Sequence, residues 1–247
     1  MNAQDELAGD VTGIGEESGA AVAAGEDFQQ PSYEAHATIA ARILEHHRCR
    51  RKLFEWMHPE RLSAIPYAKH LQGRSMGEAA ALADAWLVDA GLPVPPLASF
   101  VGPAAALAVL PVADCLSLFR LRALLDRVDD VRTWIDRPRR QVLDGWIGSH
   151  GRRLLIGPQR LLVAGVTPLG RRPTLSTVDG DALAWSGFRL FERECGWAPD
   201  GPLALLQLAM PVLPESAAQQ LLSVMPDGSP SWSILAQLPV LFPERSW

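Results

Sequence analysis

The chain has 247 residues, 48% of them hydrophobic, enough to bury a substantial core in one domain. Its formal net charge of −5 is uneven: residues 1–34 hold eight carboxylates and no lysine or arginine, which leaves +3 on the remainder. A near-neutral body of mixed sign excludes phosphate-backbone binding as the main task, so no nucleic-acid partner is expected.

Residues 1–31 are acidic, small and without usable periodicity, and they bury too little apolar area to offset ordering entropy. A disordered tail is expected there, followed by a single mainly helical domain over 32–247. The first residues show neither a basic run nor an apolar one after it, so no secretory signal is expected. Cys49, Cys115 and Cys195 are odd in number and widely spaced, which fits a reducing compartment, so a cytoplasmic protein is expected.

From Pro31 to Met57, Ile39, Ile43, Leu44, His47, Leu53, Phe54 and Met57 recur at helical spacing, and His58-Pro59 ends the run. A short piece over Arg61–Ile65 follows. Ser75 with Glu78 forms a capping box ahead of Ala79, Leu82, Ala83, Trp86 and Leu87, and Gly91 closes that helix. Leu92 to Ala113 is uncharged, which raises a membrane span, but five prolines and many small residues argue instead for a buried linker with a short helix from Pro103. The next stretch, Pro111–Trp146, has the longest helical period. Leu121, Leu124, Leu125, Val128, Val131 and Ile135 share one face, and Arg122, Asp126, Asp129, Asp130 and Thr133 share the other. Upstream, Leu116, Leu118 and Phe119 close the polar face, so the helix is expected to run from core to surface.

Asp136-Arg137-Pro138 opens a further helix with Val142, Leu143, Trp146 and Ile147 inward and Gly148 as its stop. Arg153–Ala164 reads as one short β-hairpin. A cap at Ser176 and Asp179 leads into a helix through Leu183, Trp185, Phe188, Leu190 and Phe191 that ends near Gly196. Leu203–Met210 and Glu215–Met225 make two further helices, and the tail to Trp247 forms an extended or short helical cap. The class is mainly α, as one irregular multi-helix domain.

Gly73-Arg74-Ser75-Met76-Gly77 matches the nucleophile elbow of serine hydrolases. No apolar strand precedes it, and Ser75 already has work as a helix cap, so a small hydrolase using Ser75 is the alternative function rather than the leading one. His46, His47, Cys49 and His58 lack metal-ligand spacing. The central aspartates sit among arginines, which lower their pKa values and suit them poorly to acid catalysis. No catalytic residue, cofactor or metal is expected. Binding remains. Trp56, Trp86, Trp134, Trp146, Trp185, Trp197, Trp232 and Trp247 exceed the needs of an ordinary core, and Trp and Arg dominate interface hot spots. Trp134 lies near Arg120 and Arg127 on the helical wheel, and either a partner site or a second internal packing face against the N-terminal helices fits it.

The run Leu118-Phe119-Arg120-Leu121-Arg122-Ala123-Leu124-Leu125, followed by Val131-Arg132-Thr133-Trp134-Ile135-Asp136-Arg137 and a helix ending at Gly148, resembles one family. It is similar to the accessory sorting-platform proteins of bacterial type III secretion, the SctK/YscK/OrgA family, in its Hrp-type branch. The resemblance implies a non-enzymatic cytoplasmic adaptor at the inner face of the inner membrane. Such an adaptor joins the SctD-type inner-membrane ring protein to the SctQ-type pod protein, and through it the SctL-type stalk and SctN-type ATPase. Arg120, Arg122, Asp126, Arg132, Trp134, Asp136 and Arg137 are the expected partner-binding residues.

Overall fold

A computed structural model describes residues 33–68, 74–157, 174–198, 200–212 and 230–245. They form helices, with no strand among the described residues. The expected tail over 1–31 and the expected helix over Glu215–Met225 lie outside them. The mainly helical class stands.

Helix α5, Val112–Leu125, is the centre. Cys115, Leu118, Phe119, Leu121, Ala123, Leu124 and Leu125 are all buried, so this helix is apolar around its whole girth rather than along one stripe. Each leucine so enclosed contributes about 1.5–3 kcal/mol of burial free energy. The predicted single helix to Ile135 is broken. Arg127 leaves helical geometry at φ −129°, ψ 22°, and a separate short helix α6, Val128–Arg132, follows. Val128 and Val131 keep their inward positions across the break, but α6 ends at Arg132, and Ile135 beyond it is 72% exposed although the wheel places it inside.

Helix α7, Arg137–Ile156, starts where the sequence indicated, with the Asp136 side chain accepting from the Arg139 amide at 2.9 Å. Gly148 does interrupt it, at φ 70°, ψ 166°, but the chain re-enters a helix beyond the bend. Leu143 and Ile147 pack before the bend, and Leu154 and Leu155 after it. Arg153–Ile156 is therefore helix and not strand, and residues 158–164 of the expected hairpin lie outside the described part.

Helix α8, Gly180–Cys195, lies against α5. Asp179 caps it by accepting from the Ala182 amide at 2.6 Å, and Gly196, at φ 62°, supplies the left-handed residue that closes it. The two helices meet at Gly187. A Cβ there would fall on the Phe119 carbonyl and within 2.7 Å of the Phe119 Cα, so glycine sets how near the axes come. Around the crossing, Phe119, Phe188, Phe191 and Trp197 pack ring on ring, with Phe119 and Phe188 centroids 5.4 Å apart and edge-on. The C-terminal helices α9, Pro230–Ala236, and α10, Leu238–Leu241, are helical caps: Ile234, Leu235, Leu238 and Leu241 complete the same core.

The N-terminal helices are α1, Tyr33–Arg51; α2, Leu53–Trp56; α3, Pro59–Ser63; and α4, Met76–Asp89. The Ser75–Glu78 capping box and the turn at Gly91 are both formed as expected. The inward face of α1 differs from expectation. Leu44 is 60% exposed and His47 is also exposed, whereas Arg42, His46 and Arg50, spaced i, i+4, i+8, face the proline-rich stretch after α4. Arg50 donates to the Leu92 and Pro93 carbonyls, and Arg42 to those of Phe100 and Gly102. Prolines cannot continue a helix or ladder, so the carbonyls around them need side-chain donors, and α1 supplies them.

Leu53, Met57, Ile65, Ala83 and Leu87 form a second, smaller core. A 3-10 helix, Ala204–Ala209, lies between the two. Its three-residue period sends Leu203 and Leu206 into the large core and Leu205 and Leu208 into the small one. The end of this wedge is clamped: Arg61 donates to the Met210 carbonyl at 2.7 Å and Trp185 to that of Pro211 at 3.0 Å.

Candidate interaction surface

Of the seven residues singled out in the sequence, four serve the interior or its edge. Arg122 is 0% exposed, so its expected place on a solvated face is corrected. Its Nη1 donates to Asp126 Oδ1 at 2.7 Å, and its Nε to Glu194 Oε2 at 3.1 Å, with a second bond from Nη2 to Glu194 Oε1. Glu194 also accepts from the backbone amide of Ser231 at 2.9 Å. One guanidinium thus links α5, α8 and α9. Burial works against the charge on Arg122, but Glu194 and Asp126 outweigh it and hold its pKa above the ordinary value. Burial likewise pushes the Glu194 carboxyl up, and Arg122 and Ser231 bring it below the usual range. Asp126, with its side chain 8% exposed, belongs to this cluster and not to the surface.

Arg120 is half-buried and donates to the Gly180 carbonyl at 2.9 Å, with Asp181 at 3.5 Å, which fastens the start of α8 to α5. Burial lowers its pKa, and Asp181 opposes that shift. Trp134 is 8% exposed and packs 5.9 Å from Trp146 of α7. Of the two readings left open for it, internal packing is the one formed, though against α7 and not the N-terminal helices. The other tryptophans follow suit. Among the described ones, only Trp232 is largely exposed, at 39%, so most of the surplus fills the core.

The remaining three lie together at the surface. Arg132 pairs with Asp129 at 3.1 Å, Asp136 caps α7, and Arg137 is exposed in the first turn of α7. Between them stands Ile135, which the sequence reading had assigned to the core. The turn from α6 to α7 therefore presents one large apolar side chain ringed by arginines and aspartates. A second exposed strip, Val94, Leu97 and Val101, runs along the uncharged segment beside α1.

The chemistry considered elsewhere finds structural duties. Ser75 Oγ accepts from the Glu78 amide at 3.3 Å and donates to the Glu78 carboxylate at 3.0 Å; Gly73 of the elbow motif lies outside the described residues. His58 Nδ1 accepts from the Glu60 amide at the start of α3, and His46 is buried edge-on to Phe100. Among the described residues no group of three or more His, Cys, Asp or Glu could hold a metal ion. Cavities of about 220 and 210 Å³ flank Trp197. Cys195, on the second, has its thiol pushed up to about 12 by burial and then Glu194, so it stays protonated at neutral pH. No helix among the described residues is long and apolar enough to cross a membrane.

The described residues are thus mainly helical, most of the singled-out side chains serve packing, and one turn of mixed apolar and charged character is exposed. Residues 34–244 match the family model described as bacterial type III secretion protein (HrpB4), and the chain belongs to that family. This agrees with the Hrp-type, SctK-like resemblance carried by Leu118–Arg137. No curated protein and no solved structure matches.

Proposed function

We propose that the chain is a non-enzymatic cytoplasmic adaptor of the type III secretion sorting platform, joining the SctD-type inner-membrane ring protein to the SctQ-type pod protein. Its contact would lie at the turn between α6 and α7. The observation that carries this reading is Ile135, 72% exposed between Arg132, Asp136 and Arg137, inside the stretch that carries the family resemblance. An apolar anchor within a charged rim is the usual composition of a docking site.

The test is co-purification with each partner at mild salt. Ile135→Asp combined with Arg137→Glu should cut binding at least about tenfold, a loss of about 1.4 kcal/mol. Both side chains are exposed, so thermal melting should be unchanged. Binding of neither partner by the native chain overturns the adaptor reading. Undiminished binding by the variant overturns this site.

A further inference from the structure

The same turn has an electrostatic feature that the adaptor reading does not use. The first turn of α7 contains no acidic residue and carries Arg137, Arg139 and Arg140. A helix N-terminus is the positive end of its dipole, so three cations there repel it and one another. Asp136 answers only Arg139, at 3.4 Å. Arg137 and Arg140, three residues apart and both exposed, form no ion pair among the described residues. Along its whole length α7 holds five arginines and a single carboxylate, Asp144. Next to this unanswered pair, at the entry to the helix, stands Ile135, 72% exposed. The face is basic and apolar together, and it asks for an occupant that is acidic and apolar together.

This chain contains such a segment. Residues 1–32 carry seven carboxylates, no lysine or arginine, and the apolar residues Leu7, Val11, Ile14, Val22 and Phe28 interspersed among them. Reach is not limiting. An extended chain spans about 3.3–3.6 Å per residue, so Glu16 and Glu17 lie within roughly 50 Å of Tyr33. A domain of this length is roughly 40 Å across.

We propose that the acidic segment 1–32 docks in cis on the face formed by Arg137, Arg140 and Ile135. Tethering makes weak contacts sufficient. At an effective concentration in the millimolar range, a bimolecular affinity of only about 1 mM half-covers the site. Charge pairs between exposed groups are individually weak and screened by salt, so the coverage is strong at low ionic strength and lost at high. The proposal shares its surface with the adaptor reading but does not depend on it, because the test contains no partner.

The experiment is hydrogen–deuterium exchange on the full chain, followed over residues 134–142. Native chain is compared with a variant whose seven carboxylates in 1–32 are replaced by Asn and Gln. In about 0.01 M salt, where the Debye length is about 30 Å, exchange over 134–142 should be slower in the native chain. In about 1 M salt, where that length is about 3 Å, the two chains should coincide. In the Arg137→Glu/Arg140→Glu background, neutralising the segment should make no difference. Equal exchange in both chains at low salt overturns the proposal. So does protection that rises with protein concentration, because the segment would then be reaching a second molecule.

Discussion

Arg122 carries its charge where there is no water to share it, and the reason it can is the geometry of two carboxylates. Asp126, one turn along α5, and Glu194, from α8, meet the fork from two sides, and the Ser231 amide takes up part of Glu194. Removing one member of such a cluster strands the others in a low-dielectric interior, which costs far more than the pair contributes net. Charge reversal at Arg122 or Asp126 therefore tests folding and not partner choice. His46 is the opposite case, a titratable group buried without a partner for Nε2 among the described residues. Burial, then Arg50 and His47, bring its pKa down from 6.5 to about 4. The folded chain keeps His46 neutral in that window while the unfolded chain takes up a proton, so stability falls as pH drops from 6.5 to about 4. The loss attributable to His46 is about 3 kcal/mol. His46→Gln should flatten urea-derived stability against pH across this interval by that amount; parallel curves for variant and native chain would contradict it.

At the scale of elements, the contact between α5 and α8 is set by the absence of a side chain. Replacing a helical glycine with alanine ordinarily stabilises by about 1 kcal/mol. At Gly187 the added methyl would meet backbone atoms of Phe119, which have no rotamer to move to. Gly187→Ala should therefore destabilise, by about 1–3 kcal/mol or more. The sign of the change in a denaturant titration decides the matter. Helix caps and starts were legible in the sequence because their signals are local: Ser75 with Glu78, Asp136 before Pro138, and Gly91 and Gly196 at ends. Which polar residues lie inside was not, because that depends on partners far along the chain. Arg122 meets Glu194, 72 residues away, and Arg42 meets carbonyls about 60 away. The one local hint was that apolar residues surround α5 on every side near Arg122, which leaves no solvated face for it. Ile135 departs from its wheel position because the wheel assumes that the helix continues, whereas α6 ends at Arg132; Val128 and Val131, before that end, do face the core.

Across the whole molecule, the wedge Ala204–Ala209 makes the two cores dependent on one another. Leu206 and Leu208 point into different cores from a single rigid 3-10 segment clamped by Arg61 and Trp185. Neither core can lose its wall without moving the other. Leu206→Ala and Leu208→Ala should each cost about 2–5 kcal/mol, and each should shift one common melting transition. A separate early transition in the Leu208→Ala chain alone would show that the smaller core melts by itself. For the candidate site, the stretch the sequence singles out is only partly at the surface. Of the seven, Arg132, Asp136 and Arg137 reach the surface, and the most exposed apolar neighbour, Ile135, was missed.

The tie from Glu194 to the Ser231 amide also imposes an order in time. Helices α9 and α10 are synthesised after every other described element, yet they close the core around α5 and complete the cluster at Arg122. While the chain is emerging, α5 and α8 can meet, but Glu194 lacks the Ser231 amide and the core lacks Ile234 and Leu238. The nascent protein thus passes through an interval in which its most costly buried charge is only partly answered and an apolar face stands open. That interval, and not the finished fold, is when this protein most needs shielding from its neighbours.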